Sequence, residues 1–162
     1  MATAPQPAVE LVEAISSEQI EQARQLFLEY ATSLGFSLCF QNFDEEVKNL
    51  PGAYAPPSGR LLLAYSNGQV AGCIALRLLE PMICEMKRLY VRPAYRGTGI
   101  GKMLVERVIE EARNIGYERM RLDTVASSMQ DAVALYRRRG FQEIAPYRTN
   151  PIAGVIYLEL AL

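Results

Sequence analysis

A glycine-rich loop between a strand-like run and a helix-like run constrains this chain more than any other stretch. Arg96-Gly97-Thr98-Gly99-Ile100-Gly101-Lys102 follows the apolar run of residues 82–93 and opens an amphipathic run over 99–115. A loop that opens a helix exposes unpaired backbone N–H groups at the positive end of the helix dipole, which favours an anion. Glycine lets the backbone approach that anion without a Cβ in the way. The sequence therefore predicts an anion site, with a diphosphate as its guest, against the alternative of a tight structural turn.

Two common phosphate-loop patterns do not match this stretch. The dinucleotide fingerprint requires GxGxxG, whereas glycine here recurs at every second position, at Gly97, Gly99 and Gly101. The Walker loop requires GxxxxGK[ST], but Arg96 stands where glycine is needed and Met103 follows Lys102. A nucleotide-phosphate enzyme is therefore the weaker hypothesis, and tight binding of ATP or NAD would revive it.

The absence of histidine removes several reaction mechanisms. Without histidine, the Ser-His-Asp and Cys-His mechanisms and every histidine metal site are excluded, and we expect no metal. Cys39, Cys73 and Cys84 lack CxxC spacing and are expected to fill the core of a cytoplasmic protein. The net charge of −1 argues against a nucleic-acid partner. No apolar run reaches the roughly 20 residues of a membrane helix, so no membrane partner is expected.

Hydrophobic periodicity and turn residues divide the chain into strands and helices. Strands are predicted at 8–15, in two runs joined by Asn67-Gly68, and at 82–93, 118–126, 141–145 and 153–162. Helices are predicted at 16–35, about 43–50, 99–115 and from Ser128 to Arg139, with 51–59 as a loop. Residues 1–7 are expected to form a flexible tail and 8–162 a single domain. The pattern predicts an α/β (α+β) fold with a mixed, mostly antiparallel central sheet flanked by helices.

A second motif lies downstream of the glycine loop. The stretch ALYRRRGFQEI at 134–144 follows Ala132, and the first motif reads Arg-x-x-Gly-x-Gly after LYVRP. The first motif resembles the coenzyme A signature of the GCN5-related N-acetyltransferase (GNAT) superfamily, and the second is similar to its A-x-x-LY-x-x-x-GF segment. The motifs cover roughly 82–145, and the element order resembles the family fold over nearly all the chain. The resemblance implies an N-acetyltransferase with acetyl-CoA as co-substrate and an amine as acceptor.

The resemblance implies that the cofactor binds mainly through backbone groups. The pyrophosphate of coenzyme A is expected on the loop amides of Arg96, Gly97, Thr98, Gly99, Ile100, Gly101 and Lys102. Leu89, Tyr90 and Val91 are expected to bind the pantetheine arm as an added strand. Many relatives place an asparagine that contacts the cofactor near the start of the last helix, but Met129 occupies that position here.

The resemblance also implies catalytic roles. Amide formation from a thioester needs a deprotonated amine, a donor for the oxyanion and a proton for the thiolate. Tyr136 is predicted to protonate the thiolate, against the alternative of a packed helix aromatic. Glu85 is predicted to be the base, because desolvation in an apolar strand raises a carboxyl pKa; the alternative is a salt bridge with Lys87 or Arg88. Cys84 is the weak candidate for a covalent nucleophile, so direct attack in a ternary complex is favoured.

Three segments, 35–43, 51–57 and 145–154, are implied to form the acceptor side. Apolar residues of the first segment are expected to pack under a loop: Phe36, Leu38, Phe40 and Phe43. Side chains of the turn-rich segments are expected to be accessible: Tyr54, Tyr147, Arg148 and Asn150. Arg148 or Arg60 is a candidate partner for an acceptor carboxylate, which favours a small-molecule amine over a protein amine. A non-catalytic acyl-CoA sensor is the alternative function, and the chain is expected to be a monomer or a homodimer.

Overall fold

The computed structural model describes residues 8–35, 38, 42–126 and 129–162 of the chain. Its strands are β1 (Val9–Glu13), β2 (Arg60–Ser66), β3 (Gln69–Glu80), β4 (Ile83–Val91), β5 (Arg119–Val125), β6 (Gln142–Ile144) and β7 (Val155–Ala161). Its helices are α1 (Ser17–Leu34), α2 (Phe43–Lys48), α3 (Ile100–Ile115) and α4 (Gln130–Arg138), with short 3₁₀ turns at Gly52–Tyr54 and Pro93–Tyr95. The predicted order of strands and helices is confirmed. The predicted tail, residues 1–7, and the predicted start of α4 at Ser128 lie outside the described residues.

The described strands form one seven-stranded sheet in the order β1-β2-β3-β4-β5-β7-β6. The β4–β5 pair is parallel, because α3 carries the chain from the end of β4 back to the start of β5. The other neighbouring pairs are antiparallel. The predicted mixed, mostly antiparallel sheet is confirmed.

Local sequence signals set the ends of several elements. Ser16 accepts a hydrogen bond from the Gln19 N–H while the Gln19 side chain bonds back to the Ser16 N–H, which is the predicted capping box at the start of α1. Asn67 and Gly68 have φ values of 50° and 79°, and they close the β2–β3 hairpin. Such positive values match the twist of a two-residue hairpin turn and are favourable for Asn and Gly.

Two hydrophobic clusters cover the two faces of the sheet. Helix α3 buries Leu104, Val108 and Ala112 against one face, as its apolar stripe predicts. Helices α1 and α2 cover the other face, where Leu26 and Phe27 are fully buried. None of the described helices has the length and apolar character needed to cross a membrane.

The sheet opens between β4 and β5. The parallel ladder joins Ile83–Glu85 to Arg119–Arg121, and beyond it the two strands run on to Val91 and Val125 without described pairing to each other. A gap therefore widens toward the carboxyl ends of the two strands.

A bulge in β4 lies beside this gap. Ala75 pairs with Lys87 and Cys73 pairs with Tyr90, so one β3 residue faces two residues of β4. Arg88 absorbs the extra length with a φ of 64°. The bulge follows Lys87, so Glu85 and Lys87 keep the same face of the strand, toward α1 and α2.

Candidate active site

A cavity of about 700 Å³ occupies the gap between β4 and β5. Loop residues line one end of it, and Leu89, Tyr90 and Val91 line its side along β4. Lys87, Asp123 and Asn150 line the other end. A volume of this size is typical of sites for cofactors and small molecules, which usually range from about 300 to 1,000 Å³.

The loop end of the cavity is built from backbone. Gly97 and Gly99 have φ values of 78° and 88°, a left-handed conformation that favours glycine. Gly99 is the N-cap of α3, and within the described residues no side chain caps this helix start. A Cβ added to Gly97 or Gly99 would meet no described atom within 4 Å, so the space above the loop is open. These observations fit the predicted diphosphate cradle.

The predicted loop residues fall into two groups. Arg96, Gly97, Gly99, Ile100 and Gly101 line the cavity. Thr98 and Lys102 are not among the described lining residues. The Thr98 hydroxyl donates to the Tyr95 carbonyl.

Arg96 is already engaged at the strand end. Its Nε donates to the Val91 carbonyl at 2.9 Å, and its guanidinium lies 5.8 Å from the centre of the Tyr90 ring. Arg96 therefore braces the loop against β4 in addition to placing a positive charge at the cavity.

Tyr136 lies on α4 and lines the cavity. Its ring packs against Phe141 with centroids 5.7 Å apart, and its side chain is almost fully buried. Burial, with a further contribution from Tyr30, raises the pKa of the Tyr136 phenol above its ordinary value. Tyr136 therefore holds its proton at neutral pH. Its packing in the core is confirmed, and its role as an acid stays a prediction.

Glu85 is fully buried, and the described residues that line the cavity do not include it. One carboxylate oxygen accepts from Arg77, whose Nη2 lies 2.8 Å away, and lies 3.9 Å from the Lys87 Nζ. The other oxygen accepts from the Tyr147 hydroxyl at 2.6 Å and from Arg148. A salt bridge with Lys87, the alternative to the predicted base role, is therefore present in the structure.

The predicted rise in the Glu85 pKa is wrong. Burial does raise this pKa, but the positive charges of Lys87, Arg148 and Arg77 outweigh burial and lower it to about 2. The sequence shows the apolar neighbours of Glu85 along β4, but Arg77 reaches it from β3 and Arg148 from 63 residues downstream. Glu85 is therefore a fixed negative charge over the working pH range.

Lys87 and Asp123 place charged side chains at the end of the cavity away from the glycine loop. Burial, together with Arg88, lowers the pKa of Lys87 to about 8, although the Glu85 charge opposes this change. Asp123 lies on β5 across the gap, where its Oδ2 accepts from the Asn150 side chain at 3.3 Å and lies 3.9 Å from the Arg148 Nη1. The sequence analysis did not single out Asp123, although a carboxylate two residues before the end of strand β5, "RMRLDTV", was a signal.

Comparison with known proteins now decides the family. The sequence model of the Acetyltransferase (GNAT) family matches residues 20–141, most of the chain. The chain belongs to the GNAT acetyltransferase family. An uncharacterized N-acetyltransferase of Schizosaccharomyces pombe is 40% identical over 147 residues, which span 90% of each chain. The predicted enzyme class, an acetyl-CoA-dependent N-acetyltransferase, is confirmed.

Solved structures show the GNAT fold independently. A GNAT-family acetyltransferase from Staphylococcus aureus superposes with a TM-score of 0.78 at 21% identity, over 95% of this chain and 99% of that one. An acetyltransferase structure from Salmonella typhimurium that contains its cofactor acetyl-CoA superposes with a TM-score of 0.66 at 20% identity, over 95% and 94% of the two chains. The GNAT fold predicted from the two motifs is confirmed.

The acceptor side of this GNAT domain differs in part from the sequence expectation. Tyr54, expected to be accessible, is buried at 2% exposure and packs edge-on against Phe27. Arg60 does not bind at the cavity; its Nε donates to Glu111 of α3 at 3.0 Å. Arg148 and Tyr147 are partly exposed, but both are held by Glu85.

The remaining predictions for this side concern apolar residues and cysteines. Leu38 and Phe43 are buried, as expected, whereas Phe36, Phe40 and Cys39 lie outside the described residues. Cys73 and Cys84 are buried in the core, as predicted. Burial raises the pKa of the Cys84 thiol to about 12, which disfavours a thiolate nucleophile.

Replacing Glu85 with glutamine is expected to destabilise the protein strongly at pH 7 and less in acid. A carboxylate whose folded-state pKa is depressed stabilises the fold above its unfolded pKa, and that contribution is lost as pH falls toward the folded value. For Glu85 the loss spans the interval from 4.5 down to about 2. Removal of one partner from a buried ion pair typically costs about 3–5 kcal/mol. Denaturant unfolding of the wild type and of Glu85→Gln at pH 7 and at pH 3 checks this. An equal difference in the free energy of unfolding at the two pH values would contradict it.

Proposed function

We propose that this protein transfers the acetyl group of acetyl-CoA to a primary amine of a small molecule, by direct attack of the amine in a ternary complex. One observation carries the proposal: a single cavity connects the glycine loop, the Tyr136 phenol and a charged end formed by Lys87 and Asp123. The loop suits an anionic cofactor, and the charged end suits a polar acceptor. The thioester and the amine would meet between them.

Backbone groups are the proposed holders of the cofactor. The N–H groups of residues 96–102 open α3 and suit a pyrophosphate. Residues Leu89 to Val91 lie beyond the β4–β5 ladder, so their strand edge toward β5 suits an extended, amide-bearing arm. Bound acetyl-CoA supplies an activated acyl group to the acceptor. The residues present therefore fit this co-substrate.

Tyr136 is the proposed donor to the leaving sulfur. Its phenol is protonated, lies in the cavity and is shielded from bulk water. A positioned acid of this kind typically contributes about 10²–10⁴-fold to a rate. The raised pKa keeps the phenol protonated, so it can donate a hydrogen bond to the departing sulfur as negative charge develops there.

The walls of the acceptor end support a small acceptor. Tyr30, Ser33 and Leu34 of α1 and Leu38 line the same cavity as Lys87. An acceptor amine must therefore enter a confined space beside helix α1. A compact amine satisfies this geometry more readily than a folded protein surface.

Thiol release from acetyl-CoA tests the proposed function. We expect release with at least one amine from a panel of simple amines, amino acids and polyamines, together with a product heavier by one acetyl group. Peptides with a free N-terminus or a lysine side chain form the second arm of the panel. Release with peptides alone would replace the small acceptor with a protein amine. Binding of acetyl-CoA without release on any amine would support the non-catalytic sensor instead.

A further inference from the structure

We propose that Lys87, in its neutral form, is the catalytic base that takes the proton from the acceptor ammonium. The proposal rests on the proposed function, acetylation of an amine in this cavity. Lys87 lines the acceptor end of the cavity from β4, two residues before Leu89, where the arm of the cofactor is expected. It therefore lies where the acceptor nitrogen and the acyl group must approach each other.

Glu85 is poorly placed for the role that Lys87 fills. It is not among the described residues that line the cavity, and its two oxygens accept from Arg77, Tyr147 and Arg148. A base must reach the proton it removes, either directly or through one water. Glu85 instead lies 3.9 Å from the Lys87 Nζ and sets the electrostatic environment of that amine. We infer that Glu85 is a positioning residue for Lys87.

Charged groups from several elements surround Lys87. Among the described residues, the cations near it include Arg77 on β3, Arg88 on β4 and Arg148 in the β6–β7 connection, and the Glu85 carboxylate lies 3.9 Å from its Nζ. Asp123 on β5 lines the same cavity, and Glu46 of α2 binds Arg88 through two hydrogen bonds. Tyr30 of α1 and Tyr147 also face this region.

The balance of these charges keeps the Lys87 proton loosely bound. Burial and the nearby arginines lower its pKa to about 8, against the opposing charge of Glu85. A base works best when its pKa lies near the working pH, and a buried lysine reaches that range more readily than any arginine. A substantial fraction of Lys87 is therefore neutral at slightly alkaline pH.

The proton transfers balance over the whole reaction. The acceptor ammonium gives its first proton to Lys87, and the neutral amine attacks the acyl carbon to form the N–C bond. The C–S bond then breaks, and the sulfur takes a proton from Tyr136. The second proton of the acceptor nitrogen returns to the Tyr136 phenolate, and Lys87 releases its proton to solvent. One proton is released for each amide formed.

Asp123 is the competing candidate, because its carboxylate also lines the cavity. It lies across the gap on β5 and is held by Asn150, so it is suited to binding the acceptor ammonium. The two roles give different pH profiles. With a carboxylate base, kcat would fall only in the acidic pH range in which the carboxylate gains a proton. With Lys87 as the base, kcat falls as the pH drops below the pKa of Lys87.

The test uses the full-length protein, acetyl-CoA and the most active small amine of the panel. Lys87→Met removes the base. Lys87→Arg keeps a permanent positive charge but cannot act as a base. We expect both variants to lose at least about 100-fold in kcat with acetyl-CoA binding retained. Lys48→Met, at an exposed lysine on α2, is the matched control and should keep the wild-type rate. Wild-type rates in either Lys87 variant would overturn the proposal.

The pH dependence of kcat provides a readout that a purely structural role would not move. The wild-type protein should show an acid limb near pH 8 that stays in place when a second acceptor with a different amine pKa is used. Glu85→Gln removes a negative charge beside Lys87, so this limb should move to lower pH while the rate at high pH survives. Loss of rate at every pH in a Glu85→Gln protein that circular dichroism shows to be folded would return the base role to Glu85. An acid limb that shifts with the pKa of the acceptor amine would remove the base role from Lys87.

The pH dependence of kcat in the wild-type protein is measured without any variant, so the proposal stays testable even if a substitution at Lys87 prevents folding. The outcomes also separate this proposal from the function on which it rests. If no amine is acetylated, the proposed function fails. If amines are acetylated and the Lys87 variants retain the wild-type rate and profile, the base assignment alone fails.

Discussion

Tyr136→Phe is expected to lower kcat by about 100-fold or more and to leave the affinity for acetyl-CoA nearly unchanged. The substitution removes only the hydroxyl, so the ring keeps its contact with Phe141, 5.7 Å between centroids. The leaving sulfur then departs without a donor in a cavity shielded from water. Steady-state rates at saturating acetyl-CoA and amine, with affinity measured separately by calorimetry, check this expectation.

Tyr117→Phe is the matched control for this experiment. Tyr117 is also a buried tyrosine, but its hydroxyl donates to the Ser58 carbonyl at 2.6 Å and it is not among the described residues that line the cavity. Loss of that hydrogen bond should reduce stability by about 1 kcal/mol and leave kcat unchanged. An unchanged kcat in Tyr136→Phe as well would leave Tyr136 with a packing role alone.

Gly101→Ala is expected to weaken acetyl-CoA binding at least tenfold without harming the fold. Gly101 lies in the first turn of α3, and an added Cβ would meet only Val91 Cγ2 among the described atoms, at an ordinary contact distance of 3.8 Å. Alanine is more favourable than glycine inside a helix by about 1 kcal/mol. The unliganded variant should therefore unfold at the same temperature as the wild type or a higher one. The Cβ would project into the cavity and hold a pyrophosphate away from the loop amides.

Calorimetric titration with acetyl-CoA measures the loss of affinity in Gly101→Ala, and thermal unfolding without ligand measures the stability of the variant. A tenfold weaker Kd corresponds to about 1.4 kcal/mol of binding free energy. Gly99→Ala is the comparison that separates weaker binding from lower stability. The φ of 88° at Gly99 strains any other residue, so this variant should lose stability as well as affinity. Unchanged affinity in Gly101→Ala would mean that this glycine serves the loop and not a ligand.

The fold was largely predictable from the sequence because its signals are local. The capping box at Ser16 and the Asn67-Gly68 turn each act within four residues, and both are present in the structure. The apolar stripe of α3 and the glycine loop before it predict the crossover that makes β4 and β5 parallel. These features agree with one another, so the order of elements follows from them.

The environment of Glu85 was not predictable in the same way. Its hydrogen-bond donors are Arg77 on β3, and Tyr147 and Arg148, which are more than 60 residues away along the chain. Strand alternation places Glu85 beside Lys87 but does not show which of the two faces the cavity. The prediction for Tyr54 was wrong for a similar reason. As a loop residue it was expected at the surface, but the Tyr54 ring packs against Phe27.

The binding of acetyl-CoA at the glycine loop is the central claim, and ligand-induced stabilisation tests it most directly. Thermal unfolding is measured with acetyl-CoA, CoA, ATP and NAD in turn. A ligand at about 100 times its Kd adds roughly 2.7 kcal/mol to the free energy of unfolding, which is an easily measured shift. We expect stabilisation by acetyl-CoA and CoA, and a stabilisation smaller by about 1.4 kcal/mol or more in Gly101→Ala. Stabilisation by ATP or NAD alone, or by none of the four, would contradict the claim.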